Sequence, residues 1–246
     1  MQLRLVECPS PNHDARPPGA AIDMLVLHYT GMKTADEALG RLCDPASKVS
    51  AHYTIDRTGR VYAHVAEERR AWHAGASFWA GQSHVNDCSI GIELVNPGHE
   101  FGYTPYTDEQ IGALILLARG ILARHPIPPS RVLGHSDVAP ARKTDPGELF
   151  PWQRLAQSGV GVWPALSSPD HPVLSSLAPG GSAERSEAEG RAVAPMLSRF
   201  GYGVPPQVDV PLAAVITAFQ RHFRPSCIDG VADAESLAVL AALLSR

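Results

Sequence analysis

Cysteine is sparse here: four in 246 residues, at positions 8, 43, 88 and 227, with no CxxC pair. That spacing excludes a disulfide framework and reads as free buried thiols, in keeping with a reducing compartment. Long apolar runs are missing as well, and none approaches the ~20 residues needed to cross a bilayer. The first 19 residues lack the apolar core of a secretory signal, because Arg4, Glu7 and Pro9 interrupt it. A cytoplasmic protein is the expectation. Excess charge of one sign is absent too. A formal net charge of −4 and a pI near 6.2 give no electrostatic footprint for nucleic acid or an anionic membrane. What remains is an ordinary soluble composition, 44% hydrophobic and 19% charged, long enough for one large domain or one plus a small one.

Pattern fills in the organisation. Residues 1–21 carry four prolines and read as an extended lead-in. Residues 22–29 (IDMLVLHY) form a short continuous apolar run, as expected of a strand buried on both faces, with His28 near its end. Residues 34–43 suit a short helix. The segment HYTIDRTGRVYAHV alternates on either side of Arg57-Thr58-Gly59, a hairpin signal. The aperiodic AWHAGASFWAGQSHVND that follows reads as a surface loop suited to binding. Residues 89–96 (SIGIELVN) alternate strictly and put Glu93 mid-strand on the face opposite Ile90, Ile92 and Leu94. Thr107 and Gln110 open the clearest helix as a capping box. A Ser/Pro/Gly-rich stretch then precedes three helical patterns near 186–200, 211–223 and 233–245.

Reactive groups concentrate in residues 131–152 (RVLGHSDVAPARKTDPGELFPW). His135 falls where a short apolar strand should end, and Lys143 and Asp145 follow on backbone stiffened by Pro140 and Pro146. Catalytic zinc sites use three N, O or S ligands and leave a fourth position open. His28, His135 and Asp145 could supply two nitrogens and an oxygen. A strand-end histidine is also commonly just a hydrogen-bonded structural residue, so spacing alone leaves both readings standing.

The motifs VLHYTG (26–31), SAHYTIDRTGRVY (50–62), AWHAG (71–75), NDCSIGIELVN (86–96) and GHSDVAPARKTDPGELFPW (134–152) together resemble the zinc-dependent N-acetylmuramoyl-L-alanine amidases of the AmpD/AmiD type, relatives of the peptidoglycan recognition proteins. AFQRHFRP (218–225) and DGVADAES (229–236) resemble that family's small helical peptidoglycan-binding domain.

The resemblance implies an α/β fold, a mixed β-sheet flanked by helices as in peptidoglycan recognition proteins, plus a small C-terminal three-helix domain. The expected division is 1–164 catalytic, 165–185 linker and 186–246 helical. Zn2+ would be held by His28, His135 and Asp145. Glu93 would act as the catalytic carboxylate, and Lys143 would face the scissile carbonyl. His52 and His73 would line the substrate groove, with Trp72, Trp79 and Asn86 as further contacts to sugar or peptide. The implied reaction is hydrolysis of the amide between the lactyl group of N-acetylmuramic acid and L-alanine. The partner is then a muropeptide or peptidoglycan, with no nucleic acid and no membrane insertion, for a monomeric chain. A wall-binding-like C-terminal domain makes the periplasm or cell envelope the alternative location. A peptidoglycan-binding module without catalysis is the alternative function, and the intact set of five residues argues against it.

Overall fold

Only a place covered on both faces accommodates a strand as apolar as residues 24–29. In the computed structural model, which describes residues 3, 5–165 and 183–245, that run lies near the middle of the main sheet. In chain order the elements are β1 (Leu5–Glu7), β2 (His13–Ala15), β3 (Met24–Tyr29), α1 (Ala35–Cys43), β4 (Tyr53–Ile55), β5 (Val61–Ala63) and β6 (Arg69–Ala71). There follow α2 (Val85–Cys88), β7 (Ser89–Leu94), α3 (Gly98–Phe101), α4 (Asp108–Arg124), β8 (Val132–Gly134), α5 (His135–Val138) and α6 (Trp152–Gln157). Among the described residues, three C-terminal helices follow, Ala183–Phe200, Leu212–Phe223 and Ala234–Leu244.

Six strands form a mixed sheet in the order β1-β5-β4-β7-β3-β8, and β2 pairs with β6 in a separate ribbon. β3 runs parallel to both β7 and β8, while β4 and β5 make the expected hairpin. The lead-in is thus less irregular than its prolines suggest, since Pro9 and Pro11 fall between two short strands. The parallel register sets His28 beside Glu93 and Leu27 beside Gly134. Side chains alternate along a strand, so His28 shares a face with Met24 and Val26, and Glu93 shares that face with Gly91.

The other face is covered by α4. Ile111, Leu114, Leu117 and Ile121 recur at helical spacing and pack with Leu25, Leu27, Ile90, Ile92 and Leu94. Each such side chain contributes roughly 1.5–3 kcal/mol on burial. Thr107 caps the helix by accepting from the Gln110 N–H at 3.2 Å. The Gln110 side chain does not close the capping box. Its amide donates to the Ile55 and Val95 carbonyls at 2.9 and 3.2 Å, tying the helix start to the sheet.

The face that carries His28 and Glu93 is covered differently. Met24, Val26, Trp79, Val85, Leu133 and Val138 form one apolar cluster with Val193, Leu197, Tyr202, Val215, Phe219 and Leu240 of the C-terminal region. Segment 71–87 is therefore not a simple surface loop, because Trp79 is 1% exposed beneath those helices. The linker expected at 165–185 falls for the most part on residues 166–182, which lie outside the described residues. Among the described residues no helix is long and apolar enough to cross a membrane.

Candidate active site

Three chain segments converge where β3 and β8 end. His28 closes β3, His135 opens α5 directly after β8, and Asp145 sits on the following loop, which Ser136 anchors by donating its N–H to the Asp145 carbonyl at 2.9 Å. His28 Nδ1 lies 2.9 Å from His135 Nδ1 and 3.0 Å from Asp145 Oδ2. His135 Nδ1 lies 3.1 Å from the same carboxylate oxygen. All three are buried, and their donor atoms form a group able to hold a metal ion. Tetrahedral zinc with bonds of ~2.0–2.1 Å sets its donors roughly 3.3 Å apart, so the three need to open by only a few tenths of an ångström.

The tautomers can be worked out from the partners. His135 Nε2 faces the Ala74 carbonyl at 3.1 Å. A carbonyl only accepts, so Nε2 carries the hydrogen and Nδ1 keeps its lone pair. On the other side a relay runs through three residues. Ser89 Oγ donates to the Val85 carbonyl at 2.5 Å and so accepts from His73 Nε2 at 3.2 Å. His73 Nδ1 is then an acceptor, and His28 Nε2 donates to it at 3.1 Å. His28 Nδ1 is thereby left as a lone pair as well. Burial, and next the neighbouring His135, pulls the His28 imidazole down to about 4, which keeps it neutral near pH 7. Burial also works to raise the Asp145 carboxyl, but the two imidazoles overcome it and hold the group well below the usual carboxylate range. Two oriented nitrogen lone pairs and a carboxylate fit a zinc ion, with partners behind the imidazoles to hold them.

Glu93 stands apart from this triad. Burial, reinforced by the Asp145 charge and opposed by Lys143, pushes its carboxyl up to about 8. Its Oε2 is buried with no hydrogen-bond partner among the described residues. Orphaned buried carboxylate oxygens are costly and mark functional positions. Glu93, His135, Lys143 and Asp145 all line one cleft of about 980 Å³.

The remaining expected contacts separate into two groups. Trp72 and His73 line that cleft, Trp72 with its indole N–H on Asp14 Oδ2 at 2.9 Å. His73 spends both ring nitrogens within the chain, so its geometry is that of a support behind His28. His52, Trp79 and Asn86 are not in the cleft. His52 is fully buried, accepting the Gly91 N–H at 3.0 Å on Nδ1, with Nε2 against Arg16 at 3.0 Å. Asn86 Oδ1 accepts the N–H groups of His73 and Ala74 at 3.1 and 2.8 Å and so shapes the turn under the site. Trp79 packs edge-on to Tyr202 at 4.7 Å between ring centroids, inside the core. Motif membership pointed at these three. Burial takes His52 and Trp79 out of reach of a ligand, and the half-buried Asn86 has its side-chain oxygen committed to the backbone. The facing cleft wall was missed: Tyr29, Lys33, Glu37, Arg41, Glu100 and Phe101 come from β3, α1, α3 and their flanks. Solvent-facing polar residues on short helices give no signal in the sequence.

Two imidazoles, a carboxylate and a second, unliganded carboxylate beneath one cleft are the residue set of a mononuclear metal-dependent hydrolase. Comparison with known proteins makes this particular. Residues 18–148 match the N-acetylmuramoyl-L-alanine amidase family. The chain is 40% identical over 238 residues to the N-acetylmuramoyl-L-alanine amidase AmiD of Escherichia coli K12, covering 92% of this chain and 83% of that one. It is 37% identical over 164 residues to the 1,6-anhydro-N-acetylmuramyl-L-alanine amidase AmpD of Enterobacter cloacae, covering 60% and 86%. The solved complex of Escherichia coli AmiD with anhydro-N-acetylmuramic acid-L-Ala-D-gamma-Glu-L-Lys superposes with a TM-score of 0.80 at 40% identity, over 94% of this chain and 92% of that one. AmpDh3 of Pseudomonas aeruginosa, solved with anhydromuramic pentapeptide, gives 0.77 at 36% identity over 93% of each chain. The chain belongs to the N-acetylmuramoyl-L-alanine amidase family and is an amide hydrolase.

Proposed function

We propose that this chain hydrolyses the amide between the lactyl group of N-acetylmuramic acid and L-alanine in muropeptides, with His28, His135 and Asp145 holding zinc. The observation that carries the reading is the pairing of an inward-facing lone-pair triad with the orphaned Glu93 carboxylate beside it. Zinc, when bound, supplies Lewis acidity, polarising a carbonyl and lowering the pKa of water toward ~7.

The chain's own residues do the rest. Glu93, in its carboxylate form, accepts the proton of the attacking water and later delivers it to the departing alanine nitrogen. Its raised pKa suits it to both halves of that cycle. Lys143 presents an ammonium to the oxyanion that develops on the scissile carbonyl. The cleft takes the stem peptide between the wall of α1 and α3 and the floor carrying Trp72 and His73. The helices of 186–246 form a second unit resembling peptidoglycan-binding modules. The deciding experiment is a digest of an anhydro-muramyl tripeptide by zinc-loaded protein, resolved by chromatography. Free tripeptide with an alanine amino terminus is expected. Zinc-loaded protein that releases none overturns the catalytic assignment and leaves a binding module.

A further inference from the structure

A second cluster of reactive side chains lies away from the cleft. The sulfurs of Cys8 and Cys43 approach to 3.4 Å although 35 residues separate them in sequence. Cys8 follows edge strand β1 and donates its N–H to the Ala63 carbonyl at 2.9 Å, and Cys43 ends α1. The two backbones are held together independently of sulfur. Ser10 Oγ donates to the Leu42 carbonyl at 2.5 Å, and Asn12 Nδ2 donates to the Asp44 and Val49 carbonyls at 2.8 and 2.9 Å. Both thiols are partly exposed, within reach of a small-molecule oxidant.

His64 completes a group of three possible metal donors, with Nδ1 3.8 Å from Cys43 Sγ. The same Nδ1 faces the Cys8 carbonyl at 2.7 Å. That carbonyl can only accept, so the nitrogen carries a hydrogen and offers a metal no lone pair. A pair of thiols remains. An S–S bond of ~2.0 Å requires the sulfurs to close by about 1.4 Å, within the range of side-chain rotation.

We propose that Cys8 and Cys43 form a reversible disulfide that staples the N-terminal edge segment to the helix walling the cleft. The oxidant is a small-molecule disulfide. Cys8 thiolate attacks one of its sulfurs, forming a mixed disulfide and expelling a first small thiol. Cys43 then attacks the Cys8 sulfur and expels the second, so two protein thiols are oxidised and one disulfide is reduced to two thiols that take up the protons. Burial, then the adjacent Cys8 sulfur, pushes the Cys43 thiol up to about 12. The staple ends next to Arg41 and Leu42, which line the cleft, so oxidation stiffens one wall of the substrate site without touching the reacting groups. An oxidising compartment favours the bonded form and a reducing one the dithiol.

The test equilibrates the full chain in glutathione buffers of graded potential, then alkylates and maps the peptides by mass spectrometry. Free thiols should fall from four to two, with Cys8 joined to Cys43 and Cys88 and Cys227 alkylated. Tm should rise by roughly 5–15 °C on oxidation and return on reduction. Cys8→Ser and Cys43→Ser should each keep amidase activity and abolish the redox-dependent shift. Four alkylatable thiols after oxidation, stable glutathione adducts without a cross-link, or a link that uses Cys227 would each overturn the proposal. So would a second equivalent of zinc, bound by the parent and lost in Cys43→Ser, which would make the cluster a metal site.

Discussion

Glu93 faces His28 across two parallel strands, and its environment gives it two separable properties. In the metal-free folded chain its carboxyl rises from the ordinary 4.5 to about 8. The folded state therefore binds that proton more tightly than the unfolded state does. Its contribution to stability is fully present below about pH 4.5 and is lost as pH climbs through 8. Glu93→Gln cannot ionise and escapes the loss. Calorimetry on metal-free protein should find equal melting temperatures for parent and variant near pH 4, and a higher one for the variant near pH 8. Superimposable curves across that range would mean the carboxyl is not shifted. The same substitution in zinc-loaded enzyme should leave zinc content intact while lowering kcat by about 10²–10⁴, the usual worth of a positioned general base. A bound dication favours the carboxylate, so the rising limb of the loaded enzyme's pH–rate profile should lie below 8. Lys143→Ala should cost about 10²–10³ in kcat with little change in zinc affinity, since Lys143 lines the cleft and is not in the donor triad.

At the scale of elements, strand β7 carries more than its glutamate. Gly91 lies two residues before it on the same face, and a Cβ there would meet the His73 ring at 2.4 Å. His73 is the residue that holds the tautomer of His28, so Gly91→Ala should displace the relay and weaken zinc binding by about 10–100-fold, as loss of an outer-shell partner does. Isothermal titration with zinc would measure it, and unchanged affinity would show that the relay is dispensable. Sequence pattern made the strands here legible, because β3 is continuously apolar and β7 alternates, and both periodicities follow directly from burial. The triad was legible only in part: strand ends and prolines singled out His28, His135 and Asp145 as candidates, while the family resemblance supplied the zinc. The relay was not legible. Nothing in the spacing of His73 and Ser89 distinguishes a ring that meets substrate from a ring that supports another ring. Only the depth of the turn, fixed by Asn86 accepting two backbone N–H groups, decides it.

Across the whole molecule, the C-terminal helices reach the site through Asp137, two positions after His135. Its buried carboxylate takes the Gly134 N–H at 2.7 Å, the Tyr202 hydroxyl at 2.6 Å and His222 Nδ1 at 2.7 Å. His222 in turn stacks on Trp152, with ring centroids 3.7 Å apart. The residues proposed to react, His28, Glu93, His135, Lys143 and Asp145, all precede the C-terminal helices. What the sequence could not indicate is that residues 202 and 222 buttress the turn bearing one member of the triad, because long-range contacts leave no local pattern. The same contacts explain Trp79, which looked like a sugar platform and instead fills the core the helices share with the sheet. The amidase core of this chain should not stand alone. Ending the chain at residue 165 would bare Met24, Val26, Trp79, Val85 and Val138, each worth roughly 1.5–3 kcal/mol of burial, and would leave Asp137 without two of its three donors. A truncated chain should therefore aggregate on expression or melt at least 10 °C lower, by the usual conversion of several kcal/mol for a domain of this size. Tyr202→Phe isolates the local part of that effect. Leaving one carboxylate oxygen without its hydroxyl partner should cost about 1–3 kcal/mol and weaken zinc binding while the core stays packed. A truncated chain with the parent's Tm and zinc affinity would mean that the helices merely rest on the sheet. A destabilised Tyr202→Phe with unchanged zinc affinity would mean that they support the fold but not the site.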